Sequence, residues 1–242
     1  MHRIAPFAGA HHSVFRWSDA DAAGISASTV KRALAAGEIA RLHRAVYRFT
    51  AAPETWSAQV LAACWAAPHG GHASHRTGAE LYGLPGGARD PIQIRCRRWK
   101  RAHHAAIVVH ETNLLAAVDR AVVDGIPVVS VERVLLDLAA TSIGIAELAL
   151  DDALRRRLTT VARLDGMVRR LSRQGRDGVG RLRPLVQERL AGGYRPTESV
   201  AESRVAAVLR RAGLPDPVRQ HRLRTNSGAQ LRSTSPTSRS ES

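Results

Sequence analysis

Ser28, Thr29, Lys31 and Arg32 fall within one short amphipathic stretch, and Arg41, Arg44 and Arg48 follow on two alternating runs about a basic turn. Hydroxyls and cations grouped in this way suit two tasks. The first group can read base edges in a major groove, and the second can pair with phosphates. The competing reading is a solvated basic face on a small helical subdomain. The wider charge balance favours a polyanionic ligand. Lys and Arg total 36 against 21 Asp and Glu, a formal charge of +15, and the pI is near 11.4, far beyond what solubility requires. Arginine dominates the cations, which suits phosphate and guanine, although a GC-rich genome also enriches arginine. Aromatic residues make up 4% of the chain. That disfavours a stacking platform for single strands and leaves double-stranded DNA as the better ligand.

Other reactive side chains form weaker patterns. The stretch Arg95 to His104, with Trp99 within it, lies between two strand-like runs and reads equally as a second phosphate-contacting loop or a solvated turn. Eleven histidines occur, without the paired spacing of a zinc site, so no metal or other cofactor is expected. Ser74 and His75 are adjacent at a helix start, where Ser74 serves as N-cap and the two side chains point apart, which gives catalysis little support. The cluster Gly175 to Gly180 lacks the preceding strand and following Lys-Ser or Lys-Thr of a phosphate loop. Cys64 and Cys96 sit in segments that read as a buried helix and a strand, with no disulfide framework or metal knuckle. Neither a long apolar span nor a signal peptide is visible, so a reducing cytoplasm is expected.

These residues must be positioned by local elements. Ser18 to Gly24 reads as a short helix with Ser18 as cap, and Ser26 opens a second helix over 27–36 that closes at Gly37. Together they form a helix-turn-helix candidate. The runs Ile39 to Phe49 then read as a hairpin wing. Trp56, Val60, Leu61, Cys64 and Trp65 give a helix over 56–67 with a strong apolar face, and a short helix from Ser74 ends at Tyr82-Gly83. Strands are expected at Ile92 to Cys96, Ile107 to His110, Val122 to Val123 and Ile126 to Val129. Ser130 opens a helix with Val131, Val134, Leu135 and Leu138 inward. Three helices follow over 146–157, 161–171 and up to Ala191, with a boundary at Gly192-Gly193 and one more helix from Thr197. Residues 225–242 are mostly Ser, Thr and Arg, a composition that points to disorder.

The order of four segments resembles actinobacterial proteins that join an AbiEi-type antitoxin region to a domain related to very-short-patch repair endonucleases. They are Leu42-His43-Arg44-Ala45-Val46-Tyr47; Ala73-Ser74-His75-Arg76-Thr77-Gly-Ala79-Glu-Leu81-Tyr82-Gly83-Leu84; Gly125-Ile126-Pro127-Val128 leading to Arg133-Val134-Leu135-Leu136-Asp137-Leu138-Ala139; and Thr197-Glu198-Ser199-Val-Ala-Glu202 before Gly213-Leu214-Pro215-Asp-Pro217. They cover most of residues 25–220. Ala45 stands where the family has glycine, and Val129 and Val134 where threonine is common. The resemblance implies DNA binding at the N-terminus and a nucleotidyltransferase-like toxin as a further partner.

It also implies an acidic residue near Glu198 or Glu202 that assists a nuclease metal. Those two share a helix face, but the carboxylates of an adjacent strand are missing, so the chain reads as a non-enzyme with a nuclease remnant. Related chains continue into a strand with a catalytic aspartate. Here Ser233-Thr234-Ser235-Pro236-Thr237 stands in its place, matching what a one-base frameshift of that strand would encode.

The expectation is therefore an α+β chain: a winged helix-turn-helix over 1–50, an α+β and helical domain over 51–191, a truncated restriction-endonuclease-like remnant over 192–224 and a disordered tail. Its role is that of a double-stranded DNA-binding regulator or antitoxin-like protein. A metal-dependent endonuclease and a toxin-neutralising antitoxin acting by protein contact are the alternatives.

Overall fold

The computed structural model describes residues 1–67, 69–97, 99, 107–113, 115–172, 177–191, 208–209, 212–213, 218–224 and 230–235. The chain is an α+β protein divided into two compact units, Met1–Leu138 and Ala139–Ser242.

In the first unit a short 3-10 turn leads into α1 (Ala5–Gly9), β1 (Val14–Arg16), α2 (Trp17–Ala22), α3 (Ala27–Ala35), β2 (Ile39–His43) and β3 (Val46–Phe49). The three strands form an antiparallel sheet in the order β1-β3-β2. Strand β1 was not expected, because three residues offer no periodicity to read; it pairs with β3 from Val14 to Arg16. Helix α2 also starts two residues earlier than its Ser18 cap predicted. Arg16 takes the N-cap position, and the Asp19 carboxylate reaches back to accept its amide at 2.8 Å, the acidic half of a capping box.

The chain continues through α4 (Trp56–Ala66), β4 (His72–Ala73), α5 (His75–Leu81), β5 (Ile92–Cys96), β6 (Ile107–Glu111), β7 (Arg120–Val123), β8 (Ile126–Val129) and α6 (Val131–Thr141). A second sheet runs β6-β5-β4-β8-β7. It is mixed: β5 with β6 and β4 with β8 are parallel, while β4 with β5 and β7 with β8 are antiparallel. Helix α4 touches both sheets, contacting β1, β2 and β3 on one side and β4, β5 and β8 on the other. This explains why Ala58, Val60, Leu61, Ala62, Ala63 and Cys64 are all buried rather than one face alone. The alanines let two sheets approach one helix closely. One apolar cluster consequently runs from Val14 and Val46 through α4 to Ile94, Ile126 and Val128.

The inward set expected for α6 is buried: Val131, Val134, Leu135 and Leu138 are each at most 7% exposed. Val134 and Val129, standing in place of threonines, are fully enclosed, and Val134 lies against Gly78 of α5, where an added Cβ would come within 2.8 Å of its Cγ2.

The second unit holds α7 (Ile143–Arg155), α8 (Val161–Ser172) and α9 (Val179–Ala191), followed by β9 (Val218–Arg224) and β10 (Gln230–Ser235). Leu164, Met167, Val168 and Leu171 of α8 and Val179, Leu182 and Val186 of α9 are buried. Arg189 is also buried; its Nε donates to Asp151 Oδ1 at 2.9 Å, which compensates its charge. Strands β9 and β10 pair antiparallel, with a register shift between Ser233 and Ser235. Of the tail expected to be disordered, 225–229 and 236–242 lie outside the described residues, and Gln230–Ser235 is described only as the strand paired with β9. Strand pairing uses backbone groups, and a segment poor in large apolar side chains can still supply them. Gly192-Gly193, the helix start at Thr197, and Glu198 and Glu202 lie outside the described residues.

Candidate nucleic-acid interface

The N-terminal region places its cations by simple local rules. Ser26 Oγ accepts the Thr29 amide at 3.2 Å and starts α3, as an N-cap serine should. Val30 and Ala33 then turn into a core that also holds Ile25, Phe15 and Tyr47. Ser28, Lys31 and Arg32, spaced i, i+3 and i+4, are left on one exposed face. Thr29 is only half exposed, and its hydroxyl is engaged: it lies 3.0 Å from Ser26 Oγ and accepts from Arg32 Nη2 at 3.4 Å. Its side chain supports the helix start and orients Arg32.

Strands β2 and β3 turn through Arg44 and Ala45. Ala45 has φ of 61°, the left-handed conformation that glycine adopts without strain. The absence of glycine thus leaves a left-handed turn in place at the cost of backbone strain. Arg41 and Arg44 are exposed, and the Arg41 guanidinium lies 5.8 Å from the centre of the Tyr47 ring. Among the described residues no carboxylate pairs with Lys31, Arg32, Arg41 or Arg44. Arg48 does not join them. It lies on the central strand of its sheet, is 8% exposed, and its Nη1 donates to the carbonyls of Phe49 and Ala52 at 3.0 and 2.6 Å. Alternation along a hairpin cannot distinguish an outward arginine from one that ties off a chain turn.

The region is joined to α4 by stacked rings. Trp65 lies 6.3 Å from Phe7 and 5.5 Å from His11 between ring centres, and the Arg16 guanidinium sits 4.7 Å above it.

The second basic stretch divides. Arg97 is exposed, Arg95 is buried, and Trp99 packs against the α4 core rather than standing free to stack. Arg98 and residues 100–104 lie outside the described residues.

Arg95 belongs to a buried polar cluster that residue patterns missed. Its Nη2 donates to Asp137 Oδ1 at 2.6 Å, Arg133 Nε lies 3.8 Å from the same oxygen, and Asp119 lies 3.8 Å from Arg133 Nη1. His75 Nδ1 is 3.5 Å from Asp137 Oδ2 and 3.0 Å from Ser74 Oγ, and the His75 ring stacks on His110 at 3.5 Å. Ser74 and His75 therefore do not point apart, and Ser74 occupies the N-cap position without capping through its side chain. The positive φ of His75, 51°, turns the imidazole back toward Ser74.

The geometry is not that of a nucleophile, base and orienting acid. Such a relay needs one ring nitrogen for the hydroxyl and the other for the carboxylate, whereas here Nδ1 faces both. Ser74 is also fully buried. Burial first, then Arg95 and Arg133, push His75 down to about 3, and burial with its neighbours His75 and Arg95 takes His110 to about 4. Burial raises the Asp137 carboxyl, and Arg95 and Arg133 oppose that rise. The cluster is a structural charge knot around Asp137. A signal for it existed in Arg133 and Asp137, an i, i+4 pair in a helix whose other polar residues are Glu132 and Thr141.

The comparisons with known proteins bear on these two regions unequally. Residues 2–50 match the sequence model of a family described as "Transcriptional regulator, AbiEi antitoxin", which covers α1 to β3. The chain is also similar to the crystal structure of the RV2827C protein from Mycobacterium tuberculosis, at 18% identity and a TM-score of 0.48, covering 90% of this chain and 82% of that one. No curated protein matches.

Proposed function

We propose that the protein is a regulator, or antitoxin-like protein, that binds double-stranded DNA through a winged helix. On this reading α3 enters the major groove with Ser28, Lys31 and Arg32 toward the bases, and Arg41 and Arg44 on the β2–β3 wing meet phosphates. The observation that carries it is the exposed, carboxylate-free row of these cations on the helix-turn-helix and hairpin that the family model covers. The protein then acts by binding and not by catalysis, in the reducing cytoplasm, where the buried free thiols of Cys64 and Cys96 stay reduced. A family description that includes "antitoxin" supports a toxin as a protein partner; we propose one of nucleotidyltransferase-like kind, and co-expression with pull-down tests that arm.

Fluorescence anisotropy on genomic duplex fragments tests the DNA reading. Affinity should fall steeply with salt, and each phosphate contact removed should lower the slope of log K against log salt by about 1. Combined alanine substitution of Lys31, Arg32, Arg41 and Arg44 should abolish binding without unfolding. Unchanged binding would sink the assignment.

A further inference from the structure

A cavity of about 330 Å³ lies in the first unit, lined among others by His69, His72, Arg97, Thr112, Asn113 and Arg120. Its lining includes no carboxylate among the described residues. Arg97 directly follows β5 and Arg120 opens β7, so two elements distant in sequence bring guanidinium groups to one opening. Arg120 is oriented by donating Nε and Nη2 to the Leu115 carbonyl at 3.2 and 2.8 Å, contacts that hold the side chain without neutralising it. No salt bridge engages either arginine among the described residues. His72 adds a polar atom, for its Nδ1 is buried without a hydrogen-bond partner among them. Burial and the nearby Arg120 charge both lower the His72 pKa, so the ring is neutral near pH 7 and can offer one N–H.

Two guanidinium groups with no acid between them attract an oxyanion of more than one charge, and their forked donors fit phosphate oxygens. Size restricts the choice. Pockets for small ligands begin at roughly 300 Å³, so the cavity suits a solute of up to about mononucleotide size and cannot admit a duplex. We infer that this cavity binds a small phosphate-bearing solute, with Arg97 and Arg120 as its charged contacts and His72 as a hydrogen-bond donor. No residue of α2, α3 or the β2–β3 hairpin lines it, so the inference does not depend on DNA binding.

Isothermal titration of the full chain with pyrophosphate at constant ionic strength tests it. Saturable binding with Kd of about 1 mM or tighter is expected, weakened at least about tenfold when Arg97→Gln and Arg120→Gln are combined. Both side chains are exposed, so the unliganded Tm of that variant should match the parent. Combined Lys31→Ala and Arg32→Ala should leave pyrophosphate binding unchanged. Absence of saturable heat would overturn the inference, as would binding that survives loss of both cavity arginines or vanishes with Lys31 and Arg32. A 5′-phosphorylated mononucleotide and a 5′-phosphorylated duplex separate the two sources of phosphate. Binding of the mononucleotide through Arg97 and Arg120 supports the proposal. Dependence on those arginines seen only with the duplex makes the cavity part of a DNA surface and rejects it.

Discussion

Asp137 is one carboxylate answering two guanidinium groups inside a nearly closed environment, being 3% exposed. Removing one partner of a buried pair leaves uncompensated charge, so Asp137→Ala should destabilise the protein by roughly 3–5 kcal/mol in urea unfolding. His75 adds a pH dependence of definite sign. Its folded pKa of about 3 lies below its ordinary value of 6.5, so below pH 6.5 the unfolded chain holds a proton the folded chain does not. Stability is thus fully present above that pH and is lost as pH falls toward about 3, with a slope of about 1.4 kcal/mol per pH unit for this one group. Asp137, whose folded pKa is raised, takes up a proton sooner when folded and opposes the loss at the acid end. Urea midpoints at about pH 7.5 and about pH 5 should therefore converge in His75→Gln relative to the parent, by about one proton. A parent protein equally stable at both values would contradict the buried, neutral imidazole. Arg48 supplies the contrast with the exposed cations. Arg48→Met should lower stability by roughly 1–3 kcal/mol through its lost carbonyl contacts, whereas combined Lys31→Ala and Arg32→Ala should lower DNA affinity with stability almost unchanged.

The β2–β3 turn and the α5–α6 contact show how an element depends on one small position. At Ala45 the left-handed backbone makes Ala45→Gly a stabilising change of about 0.5–1 kcal/mol, after the greater freedom of glycine in the unfolded chain is deducted, readable as a rise in Tm. Gly78→Ala should act in reverse. Its new Cβ would sit 2.8 Å from Val134 Cγ2, on a β-branched side chain with little freedom to turn, and overpacking of this kind costs roughly 1–3 kcal/mol. These elements differ in how far the sequence disclosed them. Helix α3, its Ser26 cap and the hairpin were legible because cap, period and turn chemistry agree within twenty-odd consecutive residues. The burial of α4 beyond a single face was not, since periodicity reports one face and cannot show that two sheets will claim the same helix. Arg48 was not legible because alternation does not show which arginine turns onto the carbonyls of Phe49 and Ala52. Of the Asp137 cluster only the Arg133–Asp137 spacing could be read, since only the packing of β5, α5 and α6 brings Arg95 and His75 to Asp137.

At the scale of the molecule, the basic surface of α3 and the β2–β3 hairpin belongs to a region whose core continues into α4 and the five-stranded sheet, with Val14 and Val46 in the same apolar cluster as Ile94 and Val128. A fragment ending at Thr50 would therefore expose the side of its sheet that α4 covers. It should lack a cooperative melt by circular dichroism, while the full chain retains one; a cooperative transition in the short fragment would show that its sheet needs no cover. The shared helix also limits how such a protein can be recombined. An N-terminal region that borrows its foundation from the neighbouring sheet is not a detachable cartridge, and chimaeras spliced in the loop between β3 and α4 should misfold even between similar chains. On the proposed function, point substitutions on the outer row of α3, at Ser28, Lys31 and Arg32, would change the target and leave that foundation untouched, so specificity would drift one side chain at a time while the body of the protein stays fixed.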